Sequence, residues 1–373
     1  MNNKLILGIT IAATIAIIFF AGCTQQQPEN GKEIKIGALV PLTGNYSVLG
    51  NRIKNGMELA KQDLLVENPN KQIELVFEDA CQPKDAVTAI QKMIEVDKIN
   101  LIGGSFCLVG LVPIIPITEE KKMIVFNTAA NPDSVLNHPY VFSTNKSIKS
   151  DAAGMANFAL QKLNAKTAVT VFYNTPLGQD FNKHLTETFI AGNGTVLSTQ
   201  MVELNAVDFR TELTKIKEQK PDVIFIIQLS NSLGLFLKQA KELGIEAKIM
   251  SHSEAEDPNV LATAAEAAEG FIISSSEPKI KTKEILDFKE KYSKAFGAEP
   301  DILAATAYDS LKLQVIAFEK CNGSSDCMAE EFHKTKNYAG ASGNITINAN
   351  GSSDKPTNFK IVKNGKFVPY EGN

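Results

Sequence analysis

Between Ile34 and Ser274 the chain alternates short apolar runs with longer segments in which apolar side chains return every three or four positions. The runs IKIGALV, IELVFED, INLIGG and MIVFN, each bounded by turn-forming or polar residues, read as buried strands, and AVTVFYN, TVLSTQMV, DVIFIIQ, AKIMS and FIIS read as strands. Helical segments fall over 50–66, 84–96, 109–120, 150–163, 178–190, 208–217 and 232–243. In 208–217, Phe209, Leu213 and Ile216 share one face, and Asp208 is placed to cap the first turn. Gly244 stands where a helix C′ residue belongs. Strand–helix alternation implies right-handed crossovers and parallel sheets with helices on both faces, and two such sets, one on each side of Ser143, predict an α/β protein of two Rossmann-like lobes.

Beyond Ser274 the pattern changes to long helices over 283–296 and 303–319 and a shorter one over 328–335. The segments NITINANG and NFKIVKNGKFV return to strand, with Asn364-Gly365 as a hairpin turn. Local pattern does not say which lobe the late helices join. Ahead of Ile34, Lys4 is the only charge before a charge-free apolar stretch over 5–22 that ends in FFAGC. A basic start, an apolar middle and small residues at the cut predict a secretory signal peptide over 1–22. An uncleaved membrane helix competes for these roughly 18 residues, but a plain anchor needs no cysteine after Ala-Gly. The Gln-rich segment that follows, with Pro28 and Gly31, predicts a flexible tether over 23–32.

The roughly 350 residues left without the leader exceed what one hydrophobic core usually serves, which agrees with two lobes. Apolar content of 44% and a charged fraction of 21% are those of a soluble globular chain. The formal net charge of -4 and the lack of a basic stripe speak against a nucleic-acid partner. Five cysteines are odd in number. Assigning Cys23 to lipid leaves Cys81, Cys107, Cys321 and Cys327, an even set for an oxidising compartment. Three pairings are open; Cys81 with Cys107 and Cys321 with Cys327 is the favoured one, worth about 3.5 and about 2 kcal/mol in loop entropy. Metal binding by these cysteines is not expected, because no histidine lies at ligand spacing from any pair.

The FFAGC end of the leader resembles the lipobox of prokaryotic lipoproteins, in which the cysteine receives lipid and becomes the first mature residue. IKIGALVPLTGNYSVLG, FEDACQPKDAVTAIQKMI with GGSFC, FNTAANP, VDFRTELTKIKEQKPDVIFI, EAAEGFIIS and AATAYDSLKL resemble, in order, the leucine/isoleucine/valine-binding protein family. These are extracytoplasmic receptors of ABC transporters with the type I periplasmic-binding fold, and the resemblance runs from about Ile34 to Leu313. It implies a disulfide between the FEDAC and GGSFC motifs and a chain that crosses between lobes three times. Hinges then fall near 143–146, 274–276 and 339–343. Lobe one becomes 33–144 with 275–339, and lobe two 145–274 with 340–370.

Open parallel sheets bind ligands outside the carboxyl ends of their strands. Here that means the loops over 41–50, 103–109, 127–132, 174–178, 228–232 and 251–256. The resemblance implies a solute site at Tyr46, Phe106, Leu108, Val109, Ala129, Ala130, Leu177, Ser230 and Glu254. The family commonly grips the ligand carboxylate with a serine just after the disulfide cysteine, where this chain has Leu108, and with an Ala-Thr pair before Asn-Pro, where it has Ala129-Ala130. Aromatic positions of lobe two are Leu177 and Ser230, while the acidic residue persists as Glu254. Losing two hydrogen bonds to a charged group, each worth about 1.5 to 3 kcal/mol, weakens α-amino-acid binding by orders of magnitude. The expected solute is therefore an amino acid or related small organic compound other than a standard branched-chain amino acid. Glu254 has an equally ordinary reading as a solvated helix cap, and Tyr46 as a residue packed on its own turn. Asp309 is expected to bond a neighbouring loop.

Catalysis is not expected. His138, His184, His252 and His333 match no HExxH arrangement, and neither a GxSxG elbow nor a GxxxxGK[ST] loop is present. No cofactor is implied. The implied partners are a small solute, ABC permease subunits, and the outer face of the cell membrane through lipid on Cys23. The alternative is a ligand-sensing lipoprotein that signals to a membrane partner without transport; no attached signalling domain is read in the chain, which favours transport.

Overall fold

The computed structural model describes residues 32–129, 131–353 and 355–371. The leader over 1–22, Cys23 and Ala130 lie outside the described residues, so neither the lipid site nor that half of the Ala-Ala pair is placed. Among the described residues no helix is long and apolar enough to cross a membrane.

The first sheet has the order β2-β1-β3-β4-β5, formed by β1 (Ile34–Val40), β2 (Ile73–Asp79), β3 (Leu101–Ser105), β4 (Ile124–Phe126) and β5 (Val141–Phe142), all parallel. Period-two alternation splits its side chains between two layers. Ile36, Leu101, Phe126 and Phe142 enter one core with α1 (Ser47–Glu67), and Leu39, Ile102, Val125 and Val141 enter the other with α2 (Pro83–Glu95) and α3 (Leu108–Glu120). The second sheet has the order β14-β13-β10-β9-β8-β6-β7. Its strands are β6 (Thr167–Tyr173), β7 (Thr195–Val202), β8 (Val223–Ile227), β9 (Lys248–Ser251), β10 (Ile272–Ser275), β13 (Asn358–Lys363) and β14 (Lys366–Pro369). The last two form an antiparallel hairpin against β10, with Asn364 and Gly365 both at positive φ, as the turn signal requires. Val169, Ile224 and Ile273 pack under α6 (Arg210–Gln219), α7 (Ser230–Glu242) and α8 (Pro258–Ala264). Ala168, Phe172, Phe225 and Met250 pack under α4 (Ile148–Lys162) and α5 (Pro176–Ala191).

The late helices α9 (Lys283–Phe296), α10 (Ile302–Cys321) and α11 (Ser325–His333) share the core of the first sheet, through Phe288, Tyr292, Leu311 and Phe332. The approach of α1 to α10 is so close that a Cβ on Gly56 would lie 2.2 Å from the Ala304 carbonyl oxygen, so only glycine fits there. The small β11 (Tyr338–Gly340) and β12 (Gly343–Ile345) pair was not separable from the sequence pattern around NITINANG. Nor was the two-residue β5, too short to show a period. Asp208 accepts a hydrogen bond from the Arg210 N–H at 3.2 Å, but Phe209 takes the N-cap position of α6 itself. Both disulfides form as favoured, Cys81–Cys107 and Cys321–Cys327, with Cα atoms 5.0 and 5.6 Å apart.

Where the chain passes between the sheets, buried charges are paired. Lys146 Nζ lies 2.6 Å from Asp151 Oδ1, and Asp151 Oδ2 accepts from the Ser274 hydroxyl at 3.0 Å. Asp309 accepts from the Ala341 and Ser342 N–H groups at 2.7 Å each and from the Ser342 hydroxyl at 2.5 Å. Lys355 donates to that same hydroxyl oxygen at 2.7 Å. Burial pushes the Asp309 carboxyl up against the opposing pull of Lys355 and these donors, and burial brings the Lys355 ammonium down to about 8. Just after β10, Glu277 binds Lys281 at 2.6 Å and Lys360 of β13 at 2.8 Å. Its partial burial would raise the carboxyl, but the hydrogen bonds from Lys281 and Lys360 override this and hold it at about 2.

A depressed carboxyl contributes stability that is fully present above its unfolded value of 4.5 and is lost as pH falls toward about 2. For a half-exposed group screening reduces the effect to roughly 1–2 kcal/mol. Urea unfolding between pH 5 and 2 is expected to show a smaller acid loss in Glu277→Gln than in the unmodified protein, and equal acid losses would refute the assignment.

Candidate functional site

The carboxyl ends of the first sheet deliver three loops. After β1, the loop is held by Asp79, which accepts from the Leu42 N–H at 2.9 Å and from the Thr43 hydroxyl at 2.5 Å. This carries Tyr46, half exposed, to within 6.3 Å of the Phe106 ring that follows β3. Cys107 is the N-cap residue of α3, so its disulfide to Cys81 fixes where that helix starts. Leu108 is half-buried on the first turn, packed on the core beneath, whereas Val109 next to it is 59% exposed. After β4, Thr128 donates from its N–H and hydroxyl to the Ser105 carbonyl at 3.2 and 2.9 Å. Asn127 accepts from the Ser105 hydroxyl at 3.1 Å and donates to Asn131 at 2.9 Å. Ala129 is thereby held, buried, beside the end of β3. The structure therefore brings Tyr46, Phe106, Leu108 and Ala129 onto neighbouring loops, and leaves Val109 facing outward.

The second sheet delivers the others. Thr175 caps α5, accepting from the Gly178 N–H at 3.3 Å, and a Cβ on Gly178 would meet the Tyr173 carbonyl at 2.2 Å. Helix α5 therefore begins hard against the end of β6, and Leu177 packs on the core that holds Tyr173, Phe181 and Leu229. Ser230 opens α7 with φ +47, a left-handed conformation that a non-glycine residue adopts at a cost. Glu254 is exposed on a one-turn helix after β9, with its carboxylate 3.7 Å from His252 Nε2. It also lies close enough to Tyr173 that burial, reinforced by the Glu254 charge, keeps that phenol neutral far above its ordinary range.

The two groups are linked by residues that the motif reading missed. Asp133, just past the β4 loop, donates its N–H to Asp180 of α5 at 3.1 Å, and its carboxylate lies 3.0 Å from His184 Nε2. Asp180 Oδ1 is 3.3 Å from the same nitrogen. The ligand atoms of these three residues lie within 4.8 Å of one another, close enough to share a cation, and their hydrogen bonds to one another already hold them together. Asp180 and His184 at i, i+4 on a helix were the available signal; Asp133 is 51 residues away from His184, and no local pattern joins them.

A model of the periplasmic binding protein family matches residues 33–365. The Leu/Ile/Val-binding protein homolog 3 of Brucella melitensis is 23% identical over all of this chain and all of its own. A leucine binding protein from Thermotoga maritima superposes with a TM-score of 0.80 at 27% identity, over 91% of this chain and 98% of its own. A solute binding protein of an ABC transporter from R. palustris, in complex with 4-hydroxybenzoate, superposes at 0.78 with 22% identity, over 91% and 96%.

Strain at Ser230 gives a direct test of the backbone on the second-sheet side. Ser230→Gly is expected to raise the unfolding free energy by about 1 kcal/mol, and Ser230→Val to lower it by about 1–3 kcal/mol. Thermal or urea unfolding of the two variants reads the order, which would be reversed if φ at this position were negative.

Proposed function

The chain belongs to the periplasmic binding protein family, whose members bind solutes and are not enzymes, and from that premise we propose that it is the extracytoplasmic receptor of an ABC importer. It captures a small solute that joins a carboxylate to an apolar body, an amino acid or related organic acid, between two lobes. Lobe one is 33–144 with 275–339, and lobe two is 145–274 with 340–370. Lipid on Cys23 tethers it to the outer face of the membrane beside its permease.

The observation that carries this reading is the contact of Asp133, just past the β4 loop, with Asp180 and His184 of α5, which ties the carboxyl end of the first sheet to that of the second; the loops at these ends bear Tyr46, Phe106, Leu108 and Ala129 on one side and Leu177, Ser230 and Glu254 on the other. Such sheet ends are where open α/β folds bind ligands. The buried Lys146–Asp151 and Asp309–Ser342–Lys355 groups support hinges near 143–146, 274–276 and 339–343, because paired charges at the crossings resist separation of the segments while leaving rotation of the lobes open. Leu108 and Ala130, at the family's hydroxyl positions, carry no side-chain hydroxyl, which favours solutes that ask less of lobe one than an α-amino acid does. That the two compared structures carry names for leucine and 4-hydroxybenzoate binding keeps both chemistries in the screen. Solute bound to one lobe stabilises closure only through contacts that the other lobe adds.

A thermal-shift screen tests this. A solute at 100 times its dissociation constant adds about 2.7 kcal/mol of stability. At least one apolar organic acid or non-branched amino acid, drawn from 4-hydroxybenzoate, benzoate, 3-phenylpropanoate, 4-methylpentanoate and L-phenylalanine, is expected to shift the midpoint more than L-leucine, L-isoleucine or L-valine. Shifts with those three alone would overturn the reading of Leu108 and Ala130.

A further inference from the structure

The loop after β4 and helix α5 bring three metal-ligating side chains to one point. His184 Nε2 lies 3.0 Å from Asp133 Oδ2 and 3.3 Å from Asp180 Oδ1, and the three ligand atoms are within 4.8 Å of one another. Among the described residues no other group of three His, Cys, Asp or Glu side chains gathers so closely, and the four described cysteines are spent in disulfides. The point is built from two sources. Asp180 and His184 stand at i, i+4, the spacing by which one helix face presents two ligands to one ion. Asp133 arrives from the first sheet, 51 residues ahead of His184.

One proton cannot serve both carboxylates. Nε2 carries at most one, and ionised carboxylates accept without donating, so whichever oxygen takes it, the other faces the ring nitrogen with no proton between them. A tetrahedral Zn²⁺ bonded at about 2.0–2.2 Å to each ligand sets neighbouring ligand atoms about 3.3 Å apart. The two observed distances from Nε2 lie close to that edge. The ligands are also oriented from behind. Asp180 Oδ2 accepts from the Asp133 N–H at 3.1 Å, which turns Oδ1 to the imidazole, and the Glu187 carboxylate faces His184 Nδ1 at 3.6 Å, where it favours a proton on Nδ1 and a lone pair on Nε2. The His184 and Asp180 side chains are only 5% and 15% exposed, whereas Asp133 at 42% leaves one side open to water.

We propose that Asp133, Asp180 and His184 form a binding site for a divalent transition-metal cation of the Zn²⁺ class, with water in the fourth position. An imidazole beside two carboxylates suits such an ion better than Mg²⁺ or Ca²⁺, which take oxygen ligands. Any proton on Nε2 is displaced to solvent as the ion enters, and no covalent bond of the protein changes. Because Asp133 belongs to the first sheet's loops and the other two ligands to α5, the ion cross-links the carboxyl ends of the two sheets. It stabilises their approach without a solute, so the site goes beyond the solute reading and is tested apart from it.

The test uses the full chain without a polyhistidine tag, dialysed against EDTA and then titrated with zinc chloride in a calorimeter. One ion per chain is expected, with an affinity that falls about tenfold or more in Asp180→Asn and in His184→Gln. It is expected to be unchanged in His138→Gln, the control for a histidine beside a single carboxylate, Glu119. X-ray absorption at the zinc edge is expected to show one imidazole among four nitrogen and oxygen ligands. Two imidazoles in that shell, no zinc binding, or equal affinity in Asp180→Asn and the unmodified protein overturns the site. Asp133→Asn covers the case in which a change at buried His184 spoils the fold, since the Asp133 side chain is partly exposed. Weaker zinc binding in that variant supports the link between the two sheets, and unchanged binding overturns it.

Discussion

A polar stripe on α10 fixes more of this molecule than any apolar contact does. Thr306, Asp309, Ser310 and Gln314 recur at helical spacing on one face, and all are wholly buried. Each spends its hydrogen bonds on a different part of the first sheet or its crossings. Gln314 and Ser310 donate to the carbonyls of Ile102 and Gly103 in β3, at 3.2 and 2.7 Å. Thr306 donates to Thr128 at 3.3 Å and accepts from Thr144 at 2.9 Å, and Asp309 takes the N–H groups of Ala341 and Ser342. An apolar stripe would let the helix slide by a turn at modest cost; a buried polar stripe has one satisfied register. That register sets β3, the β4 loop and two of the three crossings at once.

The consequence for the candidate site is a difference in stiffness between its halves. Ala129 and its neighbours are held by the Ser105–Asn127–Asn131–Ser143 chain of hydrogen bonds, which is buried throughout. Opposite them, Glu254 is exposed on a one-turn helix and Ser230 sits in a strained conformation. In the proposed mechanism a rigid lobe one takes the solute first, because its groups need no ordering. Lobe two then adapts, and the order it gains is charged against the free energy of closure.

IKIGALV coincides with β1 residue for residue because a buried parallel strand with helices on both faces has to be apolar, and TVLSTQMV coincides with β7, an edge strand legible instead by its period of two, exposed and partly buried in turn. Helix starts were less legible. The first helix begins at Ser47, three residues ahead of the pattern, since no side chain caps it and its entry depends on the loop tied to Asp79. The site was legible only as loops. The family resemblance picked out Glu254 and Leu108, but His252 two residues before Glu254 carried no pattern of its own; its contact with Ser251, which donates to Ile226, requires β8 beside β9. The same holds for Asp133, placed against His184 only after both sheets exist.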